Sequence, residues 1–139
     1  MRYLAVLLLS ILALGLLASV QCTASAEPPD SVSASPYLLE RVKNNEWLLL
    51  DVRSEQEYRE GHIPGAINVP HDRIDEYLAE LDDYKDKPVI VYCRSGRRAK
   101  LAMKQLQAKD FNKVSHLEGD MLGWNATSLP VEKLPKEMM

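Results

Sequence analysis

Cysteine is nearly absent from this chain. Only Cys22 and Cys93 occur in 139 residues, too few for a disulfide-stapled framework. Histidine is almost as scarce, with three residues. Neither His71 nor His116 has a second His or Cys at ligand spacing, so no metal site is expected. Internal repeats and low-complexity tracts are missing. So is any excess of positive charge: the formal net charge of −3 gives no reason to propose nucleic acid or an anionic membrane as a partner. With 46% hydrophobic and 27% charged residues, the composition is that of an ordinary globular chain, and its length holds one domain.

A long apolar run occurs once, at the start. Met1-Arg2-Tyr3 is a short positive beginning, Leu4 to Ala18 is almost wholly apolar, and Ala24-Ser25-Ala26 has the small-x-small pattern of a signal-peptidase site. The reading taken is a cleaved signal peptide over 1–26. A membrane anchor is the alternative, since the run Leu4–Val20 sits at the lower limit of a span of about 17–25 residues. A lipoprotein acylated at Cys22 ranks third, because Val20 and Gln21 are bulkier than the residues expected before an acylated Cys. Cleavage after Ala26 predicts a periplasmic protein without stable membrane association and with Cys93 as its one cysteine. No intramolecular disulfide and no resolving thiol then remain, so whatever Cys93 takes up must pass to an external acceptor.

The stretch Tyr92-Cys93-Arg94-Ser95-Gly96-Arg97-Arg98 organises the rest. Before it, Val89-Ile90-Val91-Tyr92 reads as a buried strand of a parallel sheet. After it, Leu101, Met103, Leu106 and Phe111, spaced among Lys and Gln, suggest a helix with one buried face. Cys93 thus sits where a strand ends and a helix begins, the place where open α/β sheets bind ligands. Gly96 permits a tight turn with inward-facing N–H groups. Those groups, the helix terminus and Arg94, Arg97 and Arg98 all favour an anion at Cys93, and hence the thiolate, which is the nucleophilic form. Burial as a small hydrophobe would not explain three arginines and a glycine in the next five residues.

Residues 27–34 are polar and Pro-containing and read as a linker. Ser35-Pro36 looks like a helix start, with a helix through Leu38, Leu39 and Val42. Trp47 to Leu50 reads as a strand. Ser54 and Glu57 form a capping box for a short helix stopped by Gly61. Ile67-Asn68-Val69 is a brief strand, Asp72 to Leu81 a helix, Val114 to Leu117 a last strand, and Gly119 to Trp124 a turn and short helix carrying Met121 and Trp124 inward. From Thr127 the chain reads as a polar tail. Strands alternating with helices predict an α/β fold with a mainly parallel central sheet and helices on both faces, with the domain over 35–126.

Three signatures stand in order: Asp51-Val52-Arg53 with Glu57-Tyr58 and Gly61-His62-Ile63-Pro64-Gly65-Ala66-Ile67-Asn68; then Cys93 to Arg98; then Gly119-Asp120-Met121-Leu122-Gly123-Trp124. Together they resemble the rhodanese-like domain family, and single-domain periplasmic (phage-shock-type) members of it. Asp120 stands where that family usually has a second glycine. The resemblance implies a thiosulfate sulfurtransferase without a cofactor. Cys93 would be the nucleophile that carries sulfur as a persulfide. Arg94, Ser95, Gly96, Arg97 and Arg98 would bind a small anionic sulfur donor, with cyanide or a thiol as acceptor. A monomer is expected. Asp51 and Arg53 are read as shaping the fold, Glu57 as a cap or ion-pair partner, His62 as a structural hydrogen-bonder, Trp47 and Trp124 as packing residues, and Lys85 and Lys87 as solvated.

Cysteine phosphatases and arsenate reductases are the first rival. Their loop carries Arg six residues after Cys, and here that residue is Ala99, with Tyr92 rather than His before Cys93. A persulfide relay or binding module for a periplasmic protein, and a partner in thiol oxidation, are the others.

Overall fold

The computed structural model describes residues 29–136. The signal segment lies outside the described residues. The elements run β1 (Ser31–Val32), α1 (Pro36–Lys43), β2 (Leu48–Asp51), α2 (Glu55–Glu60), β3 (Ile67–Asn68), α3 (Ile74–Leu81), a 3₁₀ turn (Asp82–Tyr84), β4 (Val89–Tyr92), α4 (Arg97–Ala108), β5 (Val114–Leu117) and α5 (Asp120–Asn125). The five strands form one parallel sheet in the order β1-β5-β4-β2-β3. β2 and β4 are central and buried on both faces, which is why both read as unbroken apolar runs.

Side chains alternate across the sheet. Leu48, Leu50, Val89, Val91 and Cys93 therefore share one face with Ile74 and Leu81 of α3 and with Ala99, Ala102 and Leu106 of α4. Leu49, Ile90 and Tyr92 share the other with Leu38 and Val42 of α1 and Met121 and Trp124 of α5. Helices thus cover both faces, as the alternating pattern predicts.

Local signals set the helix ends. Ser35 caps α1, its hydroxyl accepting from the Leu38 N–H at 3.3 Å, with Pro36 at the first helical position. Ser54 and Glu57 form the reciprocal capping box of α2, and Gly61 ends it. α3 starts at Ile74 rather than Asp72, behind an Arg73 cap that offers no side-chain acceptor.

Three expectations need correction. The stretch read as a linker contributes edge strand β1: the His116 and Glu118 amides donate to the Asp30 and Val32 carbonyls at 3.0 and 2.9 Å. A strand of two residues, Ser31 and Val32, is too short for alternation to reveal it, and only the β5 edge gives it partners. The polar tail docks rather than trailing away. His62 and Glu132 exchange two backbone bonds of 2.9 Å, and Trp124 Nε1 donates to the Pro130 carbonyl at 2.9 Å. The buried stripe of α4 is Ala99, Ala102 and Leu106, while Leu101 is 46% exposed. Phe111 reaches the core from beyond the helix end, past Asp110 at φ +69°.

Candidate active site

Cys93 follows β4 directly, and its side chain is 1% exposed. The chain turns at Gly96, whose φ of +109° an L side chain rarely adopts. That turn aims the Gly96 N–H back at the Cys93 Sγ, 3.0 Å away. Gly96 also caps α4, with no side-chain acceptor, and the first turn holds no acidic residue. The terminal amides and the positive helix end are thus left for an anion.

A cleft of about 410 Å³ opens over the thiol, lined by His71, Cys93, Arg94, Ser95, Arg97, Arg98 and Leu101. The structure therefore brings Cys93, Arg94, Ser95, Arg97 and Arg98 together at the cleft, while Gly96 does not line it and meets the site through its N–H on the sulfur. It adds His71 and Leu101, which sequence reasoning missed. Leu101 was assigned to the core by its period, and His71 carries no local motif.

The three arginines are not equivalent. Arg98 donates to both oxygens of Glu57, at 2.7 and 2.9 Å, across 41 residues of chain. The Arg98 guanidinium is the main reason the Glu57 carboxyl falls from 4.5 to about 2, helped by bonds from Ser54. Glu57 in turn raises the Arg98 pKa above its ordinary value, with a lesser contribution from Cys93. Glu57 is thus both the cap and the ion-pair partner that the sequence left as alternatives. Arg94 and Arg97 have no acidic side chain as partner among the described residues, and both line the cleft.

Beside the site, Asp51 and Arg53 form a buried pair. The guanidinium contacts the carboxylate at 2.6–3.1 Å and donates to the Gly61 carbonyl at 2.7 Å. Burial works against the charged Arg53, and Asp51 more than offsets it, so the Arg53 pKa stands above its ordinary value. The Tyr92 hydroxyl accepts from the Ile63 N–H at 3.1 Å, and burial, with Asp51, holds that phenol well above its usual range. His62 Nδ1 lies 2.8 Å from the Tyr58 carbonyl. These residues tie the two turns of the first signature to β2 and β4, the structural role read for Asp51, Arg53 and His62. Arg94 forms the wall between the thiol cleft and a second cavity of about 390 Å³, bounded by Arg53, Glu57, Leu122, Val131 and Lys133.

Beneath the turn lie two groups that sequence reasoning did not connect to the site. Asp120 is 2% exposed, and its Oδ1 accepts from the Cys93 N–H at 3.0 Å. His116 Nε2 stands 3.0 Å from both Asp120 oxygens. The one available signal was Asp120 itself, a carboxylate where the resembling family has glycine.

The arrangement can hold an anion over a nucleophilic cysteine. Comparison with known proteins agrees with that chemistry. A family model described as "Rhodanese-like domain" matches residues 35–127. The chain is 34% identical over 98 residues to a sulfurtransferase of Allochromatium vinosum, covering 70% of this chain and 90% of the relative. It is 38% identical over 108 residues to an HTH-type transcriptional regulator of Mycobacterium tuberculosis, covering 76% of this chain but only 46% of that protein. The match thus spans less than half of that longer relative, and only 29% of a tRNA uridine(34) hydroxylase of an Enterobacter species. Among solved structures, a rhodanese-related protein of Thermoplasma volcanium aligns with a TM-score of 0.62 at 30% identity, covering 73% of this chain and 96% of its own. The rhodanese-like domain of an Anabaena protein aligns with a TM-score of 0.64 at 27% identity, over 76% and 80%. With fold, turn geometry and all three signatures in agreement, this chain belongs to the rhodanese-like domain family.

Proposed function

We propose that this chain is a sulfurtransferase. It would move sulfane sulfur from thiosulfate, or a similar small anionic donor, to cyanide or a thiol through a persulfide on Cys93. One observation carries the reading: a thiol at the floor of the cleft, met by the Gly96 N–H at 3.0 Å, with Arg94 and Arg97 lining the walls.

In the first half-reaction the Cys93 thiolate attacks the outer sulfur of thiosulfate. A new S–S bond forms, the old one breaks, and sulfite leaves with the bonding electrons. The persulfide that remains is again an anion, and it faces the same amides and helix end that received the donor. In the second half-reaction cyanide or a thiolate takes the outer sulfur, and Cys93 leaves as thiolate. Arg94 and Arg97 would hold the sulfonate end of the donor by charge-assisted hydrogen bonds. No cofactor enters this scheme.

The reading includes export. Met1-Arg2-Tyr3, the apolar run and Ala24-Ser25-Ala26 support a periplasmic protein of the phage-shock type with a mature start near Glu27. No helix among the described residues is long and apolar enough to cross a membrane.

The experiment is mass spectrometry of purified protein after incubation with thiosulfate. One added sulfur atom on Cys93, removed by cyanide with release of thiocyanate, is the expected result. Protein that gains no sulfur from any sulfane donor would defeat the assignment. N-terminal sequencing of the periplasmic fraction tests export, and an intact Met1 in membranes would reject cleavage.

A further inference from the structure

Asp120 is placed at a cost. Its φ is +53°, in the left-handed region where a non-glycine residue is uncommon, and its carboxylate is buried. A buried carboxylate needs partners, and here they are the Cys93 N–H and His116 Nε2. Because a carboxylate only accepts, Nε2 carries the proton in this pair. We infer that Asp120 and His116 are a positioning pair for the Cys93 turn. They fix the Cys93 amide away from the sulfur so that the later amides of the turn face it. This rests on the sulfur-transfer reading above.

The turn is held from beneath at successive points. The Met121 and Leu122 amides donate to the Cys93 and Arg94 carbonyls at 2.9 and 3.2 Å. Asp120 takes the Cys93 N–H at 3.0 Å. That amide is therefore engaged on the core side, while the Gly96 N–H, three residues on, points to Sγ. Gly96 also rests on the pair: a Cβ there would lie 3.0 Å from Asp120 Oδ2 and 3.5 Å from His116 Cε1. His116, on β5, ties the carboxylate to the sheet strand next to β4. The pair does not line the cleft. It acts through the backbone of the turn, so its loss should appear in the rate of the chemical step and not in donor affinity, which the arginines keep.

The test uses the full chain, with thiosulfate as the probe. It measures single-turnover sulfur loading, iodoacetamide alkylation of Cys93 and thermal melting of Asp120→Gly, Asp120→Asn, His116→Ala and His116→Gln. Asp120→Gly relieves the left-handed backbone while removing the acceptor. It should lower the maximal loading rate about ten- to a hundredfold, the worth of a charge-assisted bond, with little change in the half-saturating thiosulfate concentration. Asp120→Asn keeps an acceptor oxygen at tolerable φ and should recover most of the rate. Wild-type loading in Asp120→Gly overturns the inference, and so does a loss in Asp120→Asn as large as in Asp120→Gly. Should the glycine variant not fold, the His116 variants decide: the rate should fall in His116→Ala and return in His116→Gln, and an unchanged His116→Ala refutes the pair. If wild-type protein takes no sulfur from thiosulfate or any other sulfane donor, the sulfur-transfer reading fails. Alkylation then decides this one: slowing in Asp120→Gly with recovery in Asp120→Asn supports the pair, and equal rates overturn it.

Discussion

Two neighbouring turns of this molecule are built on the same plan and finished in opposite ways. Parallel strands β2 and β4 pair in register, and each runs through a short turn into a helix. After β2, the turn satisfies itself. Asp51 takes the Arg53 guanidinium, Ser54 and Glu57 cap α2, and Glu55 and Glu57 answer the helix dipole. After β4, the turn is left open. Gly96 caps α4 without a side-chain acceptor, Arg97 and Arg98 add positive charge to the already positive end, and no acidic residue stands in the first turn. The first turn needs nothing more. The second takes its carboxylates from remote parts of the fold, Asp120 on the Cys93 N–H and Glu57 on Arg98, and leaves the Gly96 N–H to the Cys93 sulfur. Site and scaffold thus differ less in fold than in whether local side chains spend the amides of the turn.

The largest effect expected from breaking this contrast is on the open side. Cys93→Ser should reduce thiosulfate:cyanide sulfur transfer to background with an unchanged circular dichroism spectrum, since a hydroxyl stays protonated at neutral pH and holds no sulfane sulfur. Comparable activity in the mutant would remove Cys93 from the chemistry. On the closed side, Asp51→Ala should leave Arg53 buried without its carboxylate. Breaking such a pair costs about 3–5 kcal/mol, to be read as a lower midpoint in urea unfolding. A loss below 1 kcal/mol would show that water replaces the carboxylate.

The arginines sharpen the contrast further. Arg94→Gln and Arg97→Gln should raise KM for thiosulfate with a smaller change in kcat, because the proposed contact would be made to the bound donor as well as to the transition state. A charge-assisted contact of about 1.5–3 kcal/mol corresponds to roughly ten- to a hundredfold in kcat/KM. Arg98→Gln should change KM less, since Glu57 already holds that guanidinium. Equal effects at all three positions would argue for a general field, and added salt would then erase them.

The smallest effect concerns acid stability. The folded Glu57 carboxyl, drawn chiefly by Arg98, titrates near 2 rather than 4.5. A lowered folded pKa contributes stability that is present above the ordinary value and is lost as pH falls through 4.5 toward 2. The pair is partly exposed, so Glu57→Gln should cost only about 1 kcal/mol near neutrality. The mutant should lose less than wild type between those two pH values. Parallel acid limbs in the two proteins would refute the linkage.

Much of this could be read before any coordinates. The strand β4, the turn at Gly96, the capping box of α2 and the placement of Cys93 at a strand end all follow from neighbours within a few residues. The central strands announced themselves because burial on both faces makes them uniformly apolar. Where reading failed, the deciding partner was remote. β1 is a strand only because β5 offers an unpaired edge. The tail from Thr127 docks because Trp124 presents it an indole N–H donor and His62 a backbone partner. Leu101 fits an apolar period but faces the cleft, because the face of α4 turned to the core carries Ala99, Ala102 and Leu106 instead.

The sequence by itself determined the order of elements from α1 to α5, the parallel α/β class and the nucleophile with its basic, glycine-hinged turn, since each rests on local backbone preference or a short apolar period. Only the tertiary structure decided which arginine is already spoken for and what lies beneath the thiol. Arg98 meets Glu57 across 41 residues, and Asp120 meets the Cys93 amide across 27. The physical reason is that a charge is neutralised by whatever the fold brings within about 3–4 Å of it, and no local pattern in the chain encodes that distance.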